Sequence, residues 1–110
     1  MGGDIQPQGH AQVVMNMIDF GLSVQQATDV PRIVHDGSSA PWGGQMTDGG
    51  EVVTEPGLEK DVLEGLAARG HRVIKASEAL GGYQAIWRED RPLRYFGGSD
   101  PRKDGQAIGY

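Results

Sequence analysis

The 110-residue chain contains no cysteine. That excludes disulfides, a thiol nucleophile and thiolate metal ligands, and leaves no mark of a redox compartment. Long apolar runs are missing as well: none exceeds a few residues, whereas a membrane-spanning helix needs about 20. The first residues lack both the basic start and the apolar run of about 7–15 positions that make a signal peptide. Basic clusters are absent. Ten Lys and Arg face 15 Asp and Glu, a net charge of -5, which argues against a nucleic-acid or anionic-membrane surface, since both need clustered cations to displace counterions. Aromatics are scarce at 6%, and hydrophobic residues make up 37%, so the core is thin. Glycine is plentiful instead, 18 residues, more than twice the usual share of about 7%. The length fits one domain over residues 1–110, burying roughly two thirds of its unfolded surface.

The apolar spacing outlines the elements. From Pro7 to Phe20, Ala11, Val14, Met15, Ile18 and Leu22 follow the i, i+3, i+4 rule of a helix face, with Pro7 suited to the first turn and Gly21 to the stop. Ser23 and Gln26 form a capping-box pattern, and Pro31 leaves room for only a turn or two of helix after it. "RIVHD" reads as a strand, and Gly37, Gly43, Gly44, Gly49 and Gly50 with Pro41 read as a loop. "EVVT" is a strand. Leu58, Val62, Leu63, Leu66 and Ala67 stripe a second helix that stops at Gly70, and "HRVIK" resumes strand character. "YQAIW" and "LRYFG", separated by "REDRP", read as a hairpin. The order predicts an α+β or layered α-β-β-α fold with mostly antiparallel strands.

Most signatures of chemistry are missing. His10, His35 and His71 lie far apart without an i, i+4 pair, so no metal site is expected. No phosphate-loop or dinucleotide fingerprint occurs, and no cofactor is expected; the glycine pairs beginning at Gly43, Gly81 and Gly97 lack a helix-opening context and read as turns. Glu59, Asp61 and Glu64 fall on the polar side of the second helix and read as a solvated face. Read from residues alone, the opening "MGGDIQPQGH" is a flexible tail before Pro7 or a bend needing positive φ.

The order of short motifs says more than any one of them. "MGGDIQPQGHAQVVMNMIDFGLSVQQATDVPRIVHD", then "GLEKDVLEGLAARGHRV", "GGYQAIW" and the ending "GGSDPRKDGQAIGY" together resemble the C-terminal part of the small subunit of γ-glutamyltranspeptidases, across nearly the whole chain. These are N-terminal nucleophile hydrolases, whose precursor cuts itself to expose a threonine nucleophile with its own α-amine as base. The resemblance implies that Gly2 and Gly3 donate backbone N–H groups to the oxyanion of the acyl intermediate. A residue without Cβ lets the backbone approach a reacting carbonyl, and a helix start adds partial positive charge. Asp4 would touch the substrate or favour the helix dipole, and Asp100 with Arg102 of "DPR" would tie the tail onto the sheet rather than perform chemistry.

The family's threonine and its substrate-anchoring residues have no match here: Thr28, Thr47 and Thr54 do not stand at the nucleophile position. The resemblance therefore implies a C-terminal fragment or detached domain of a larger enzyme acting on γ-glutamyl or other amides. Its partners would be the large subunit and the rest of the small subunit, and the isolated chain is expected to be inactive and to form a homo-oligomer through bared apolar faces. The alternative is a stand-alone binding or interaction module that kept the fold without the reaction.

Overall fold

The structure, a computed structural model, describes residues 2–37 and 49–109. The chain divides into two compact units, residues 1–30 with 81–110, and residues 31–80.

In the first unit a one-turn 3₁₀ helix, Gly3–Ile5, runs directly into α1, Gln6–Ile18. Pro7 sits in the first turn of α1, where its missing N–H costs nothing. Gly21, at φ +66, ends the turn beyond the helix, and the N–H of Leu22 reaches back to the Asn16 carbonyl. Helix α2, Val24–Asp29, opens with the expected capping box: the Ser23 hydroxyl accepts from the Gln26 N–H while the Gln26 side chain accepts from the Ser23 N–H. Val30 is extended at ψ 147 ahead of Pro31, which stops the helix.

The hairpin of this unit pairs β4, Gln84–Asp90, with β5, Leu93–Ser99, antiparallel with Trp87 opposite Phe96. Its turn is shorter than "REDRP" suggested: Arg88, Glu89 and Asp90 belong to the strand, leaving a cis Arg91–Pro92 at the tip. Gly97 and Gly98 also differ from their expected role, because both lie inside β5. Gly98 is buried, and a Cβ there would stand 2.8 Å from the Val24 carbonyl oxygen. Here glycine serves close packing of α2 on the strand rather than a turn.

The second unit holds a three-stranded sheet in the order β1-β2-β3. β1, Ile33–Asp36, runs antiparallel to β2, Glu51–Thr54, while β3, Val73–Lys75, runs parallel to β2. The parallel pair is the exception among the described strands, which are otherwise antiparallel as expected. Helix α3, Lys60–Ala68, forms the crossover between those strands, the connection that a parallel pair requires. Gly70, at φ +90, ends it as expected. Most of the glycine-rich stretch, including Gly43, Gly44 and Thr47, lies outside the described residues.

The apolar stripes are only partly covered. In α1 the buried residue is Val13, whereas Val14, Met15 and Ile18 are 47%, 48% and 67% exposed. Helix α3 has no buried residue at all. The periodicity located both helices, but the surfaces that would cover their apolar faces are not supplied by the described residues. The buried set is instead Val13, Val24, Ala27 and Thr28 in the first unit and Val34, Val52 and Thr54 in the second, joined by charged residues that carry hydrogen bonds.

Candidate functional site

The glycine turn is positioned from its C-terminal side. The Ile5 N–H donates to the Gly2 carbonyl and the Gln6 N–H to the Gly3 carbonyl. These bonds tie both carbonyls into the helix, whose first N–H groups have no partner within it. Gly2 has φ 152 and Gly3 φ 52. Gly3 therefore occupies left-handed backbone, which side-chain-bearing residues adopt only at a cost. Gly2 is half-buried and Gly3 exposed, and a Cβ on Gly3 would meet nothing within 4 Å. Open space beside a helix start, where the first N–H groups lack helical partners, can accept a negatively charged oxygen.

Asp4 is exposed in the first turn, where its charge favours the helix dipole. Close by, Gly81 at φ +80 packs its Cα 3.5 Å from where a Cβ on Gly2 would lie. Gly81, expected in a turn, carries no local signal of this apposition, because no local spacing relates residues so far apart in the chain.

Asp100 and Arg102 stand away from any open surface. Asp100 is 1% exposed and accepts from the N–H groups of Tyr83 and Arg102, while the Arg102 guanidinium donates to the carbonyls of Thr28 and Val30. The pair thus joins the tail to the end of α2 as well as to the start of the hairpin.

The described threonines are closed off. Thr28 is fully buried, and the Thr54 hydroxyl donates to the Ile74 carbonyl. His10 and His71 are exposed, and the His35 Nε2 lies 3.1 Å from the Gly49 carbonyl oxygen. Among the described residues no group of three or more His, Asp or Glu could hold a metal ion, and no helix is long and apolar enough to cross a membrane.

This mixed α/β architecture is shared with acylases and transpeptidases of the N-terminal nucleophile hydrolase type. It matches the crystal structure of cephalosporin acylase from Bacillus halodurans with a TM-score of 0.79 at 41% identity, covering 100% of this chain and 19% of that one. The γ-glutamyltranspeptidase of Pseudomonas nitroreducens gives a TM-score of 0.78 at 24% identity, covering 100% of this chain and 52% of that one. The sequence belongs to the gamma-glutamyltranspeptidase family, whose profile matches residues 1–110. Among curated relatives, the glutathione hydrolase proenzyme of Escherichia coli (strain K12) is 39% identical over 101 residues, 90% of this chain and 15% of its own length. A glutathione hydrolase-like proenzyme of Bacillus subtilis (strain 168) is 32% identical over 111 residues, 98% of this chain and 20% of its own. The chain thus spans a fifth or less of these curated relatives.

Proposed function

We propose that this chain is the C-terminal portion of an enzyme that cleaves or transfers γ-glutamyl or related amides through a threonine acyl-enzyme, and that Gly2 and Gly3 supply N–H donors to the oxyanion. The observation that carries this reading is the Gly2–Gly3 turn: positive-φ backbone at a helix start, carbonyls tied into the helix, and open space where a Cβ on Gly3 would lie. When a nucleophile adds to an amide carbonyl, the oxygen gains a full negative charge. Fixed backbone donors stabilise that charge more than the neutral carbonyl, so they act on the transition state. The relatives' names span glutathione hydrolase and cephalosporin acylase, which share cleavage of an amide bond. The reading therefore commits to the amide and leaves its acyl group open.

The nucleophile and the groups that hold the substrate would come from the parent polypeptide. The β4–β5 hairpin supports this, since both of its faces carry large exposed apolar side chains beside the charged ones near its tip. Trp87 and Phe96 lie on one, while Ile86, Leu93 and Tyr95, at 72%, 59% and 62% exposure, lie on the other. Exposed apolar side chains on both faces of a hairpin favour cover on both sides. A layered α-β-β-α arrangement, with the second sheet contributed by the parent polypeptide, would cover it.

The test is Gly3→Val in the complete, processed enzyme. A branched Cβ beside the reacting carbonyl, on backbone that disfavours it, should lower kcat by about 10²–10³, the scale of one oxyanion donor, while self-cleavage persists. An unchanged kcat would reduce Gly2 and Gly3 to a bend before Pro7.

A further inference from the structure

We propose that Gly81 is a positioning residue for the Gly2–Gly3 turn, holding the donor amides in place from behind; this rests on the oxyanion reading above. The Gly81 Cα stands 3.5 Å from the position a Cβ on Gly2 would take. The backbone at residue 81 therefore closes the Cβ side of Gly2 together with the side chains of Ile5 and Gln6, at 3.3 and 3.5 Å from the same position.

That backbone is fixed by its neighbours. Gly82 is buried, and a Cβ there would come within 2.4 Å of the Lys103 Cγ, so the tail presses directly on this backbone. Tyr83 is held from two directions. Its N–H donates to the Asp100 carboxylate at 3.2 Å, and its carbonyl accepts from the Asp100 N–H at 3.2 Å. Its hydroxyl donates to the Val24 carbonyl at 3.0 Å. With residues 82 and 83 pinned, a conformational change at residue 81 cannot be absorbed by sliding the segment toward the strand. Gly81 itself has φ +80, a region open to glycine, tolerated by asparagine and strongly disfavoured for β-branched residues. A β-branched side chain at position 81 therefore forces the backbone out of that region, and the displacement is passed to Gly2, which is already closed in on its other sides by Ile5 and Gln6.

The consequence is specific to the transition state. A misplaced donor binds the neutral amide nearly as well as before but meets the oxyanion poorly, and a shift of about 1 Å can cost about 10²-fold in rate. The experiment is a graded series in the complete enzyme, Gly81→Asn, Gly81→Ala and Gly81→Val, with steady-state kinetics and thermal unfolding on each. The expected order of kcat is wild type, Asn, Ala, Val, falling to about 10²-fold below wild type, with KM within about twofold and self-cleavage retained. Partial rescue by asparagine relative to alanine separates backbone conformation from side-chain bulk. Gly57→Ala serves as the stability control, because Gly57 has φ +109 and a Cβ there would lie 2.9 Å from the Pro31 Cγ, in the other unit.

Equal kcat across the series overturns the proposal. So does a rise in KM at constant kcat, or a loss of kcat that Gly57→Ala reproduces at matched Tm. If Gly81→Val fails to fold, the asparagine and alanine variants decide. Loss on Gly3→Val with no loss in the Gly81 series refutes the positioning role alone, whereas an unchanged Gly3→Val enzyme refutes the oxyanion reading and this inference with it.

Discussion

The Arg102 guanidinium lies 3.2 Å from the Asp100 carboxylate while donating to the Thr28 carbonyl at 2.6 Å and the Val30 carbonyl at 2.9 Å. Their side chains are 12% and 0% exposed. One ion pair thus closes the last turn of α2, whose carbonyls have no helical partner, and also holds the tail. Breaking it should be costly because a buried cation would be left uncompensated. Asp100→Ala should lower stability by about 3–5 kcal/mol, and Arg102→Lys should also destabilise because an ammonium cannot reproduce the fork of donors. Urea unfolding of each variant checks this; Asp100→Ala with wild-type stability would show that the pair does not hold the unit together.

Gly98 tests packing rather than charge. A Cβ at this position would stand 2.8 Å from the Val24 carbonyl oxygen and 3.0 Å from its carbon, so α2 would have to lift off β5. Gly98→Ala should cost about 1–3 kcal/mol, the usual range for overpacking. Gly97→Ala meets the Ala107 Cβ at 2.7 Å, a contact with the tail, which can move more easily than a helix. A larger fall in Tm for Gly98→Ala than for Gly97→Ala is the expected result.

The isolated 110 residues should show no hydrolase or transferase turnover. Thr28 is buried and the Thr54 hydroxyl is engaged with Ile74, so neither can attack a substrate. An assay of the purified chain with γ-glutamyl-p-nitroanilide checks this. Turnover that disappears on Gly2→Ala would place a nucleophile within these residues and overturn the expectation.

Association of the isolated chain should be measurable. Ile18, Phe20, Ile86 and Ile108 are each 67% exposed or more, and unpaired strand edges beside exposed apolar side chains favour pairing. Light scattering should give a dimer or larger species, with dissociation on dilution. A monomer across a wide concentration range would count against it.

Local signals were legible wherever a few adjacent residues act together. The Ser23–Gln26 capping box, the stops at Gly21 and Gly70, the strands "EVVT" and "RIVHD" and the hairpin all follow from interactions a few residues apart, and each was read from spacing. The motif order that pointed to the family was likewise in the sequence, as was the Gly2–Gly3 turn ahead of Pro7.

Tertiary structure decided what depends on distant partners. Glu55 carried no local signal, yet its buried carboxylate accepts from the Arg32 N–H at 2.9 Å and the Leu80 N–H at 2.8 Å, residues 23 and 25 positions away. Gln25 imitates a strand, exchanging hydrogen bonds of 3.0 Å with both backbone groups of Ser99. Gly98 looked like a turn until α2 was laid across it, and Gly81 acquired a neighbour in Gly2 only on folding. The stripe of α1 marked the helix correctly, but periodicity shows only that a helix has an apolar face, and its burial depends on the surface brought against it. Sequence fixes the conformations a short segment prefers, whereas burial, register and apposition are set by whichever distant segments meet it.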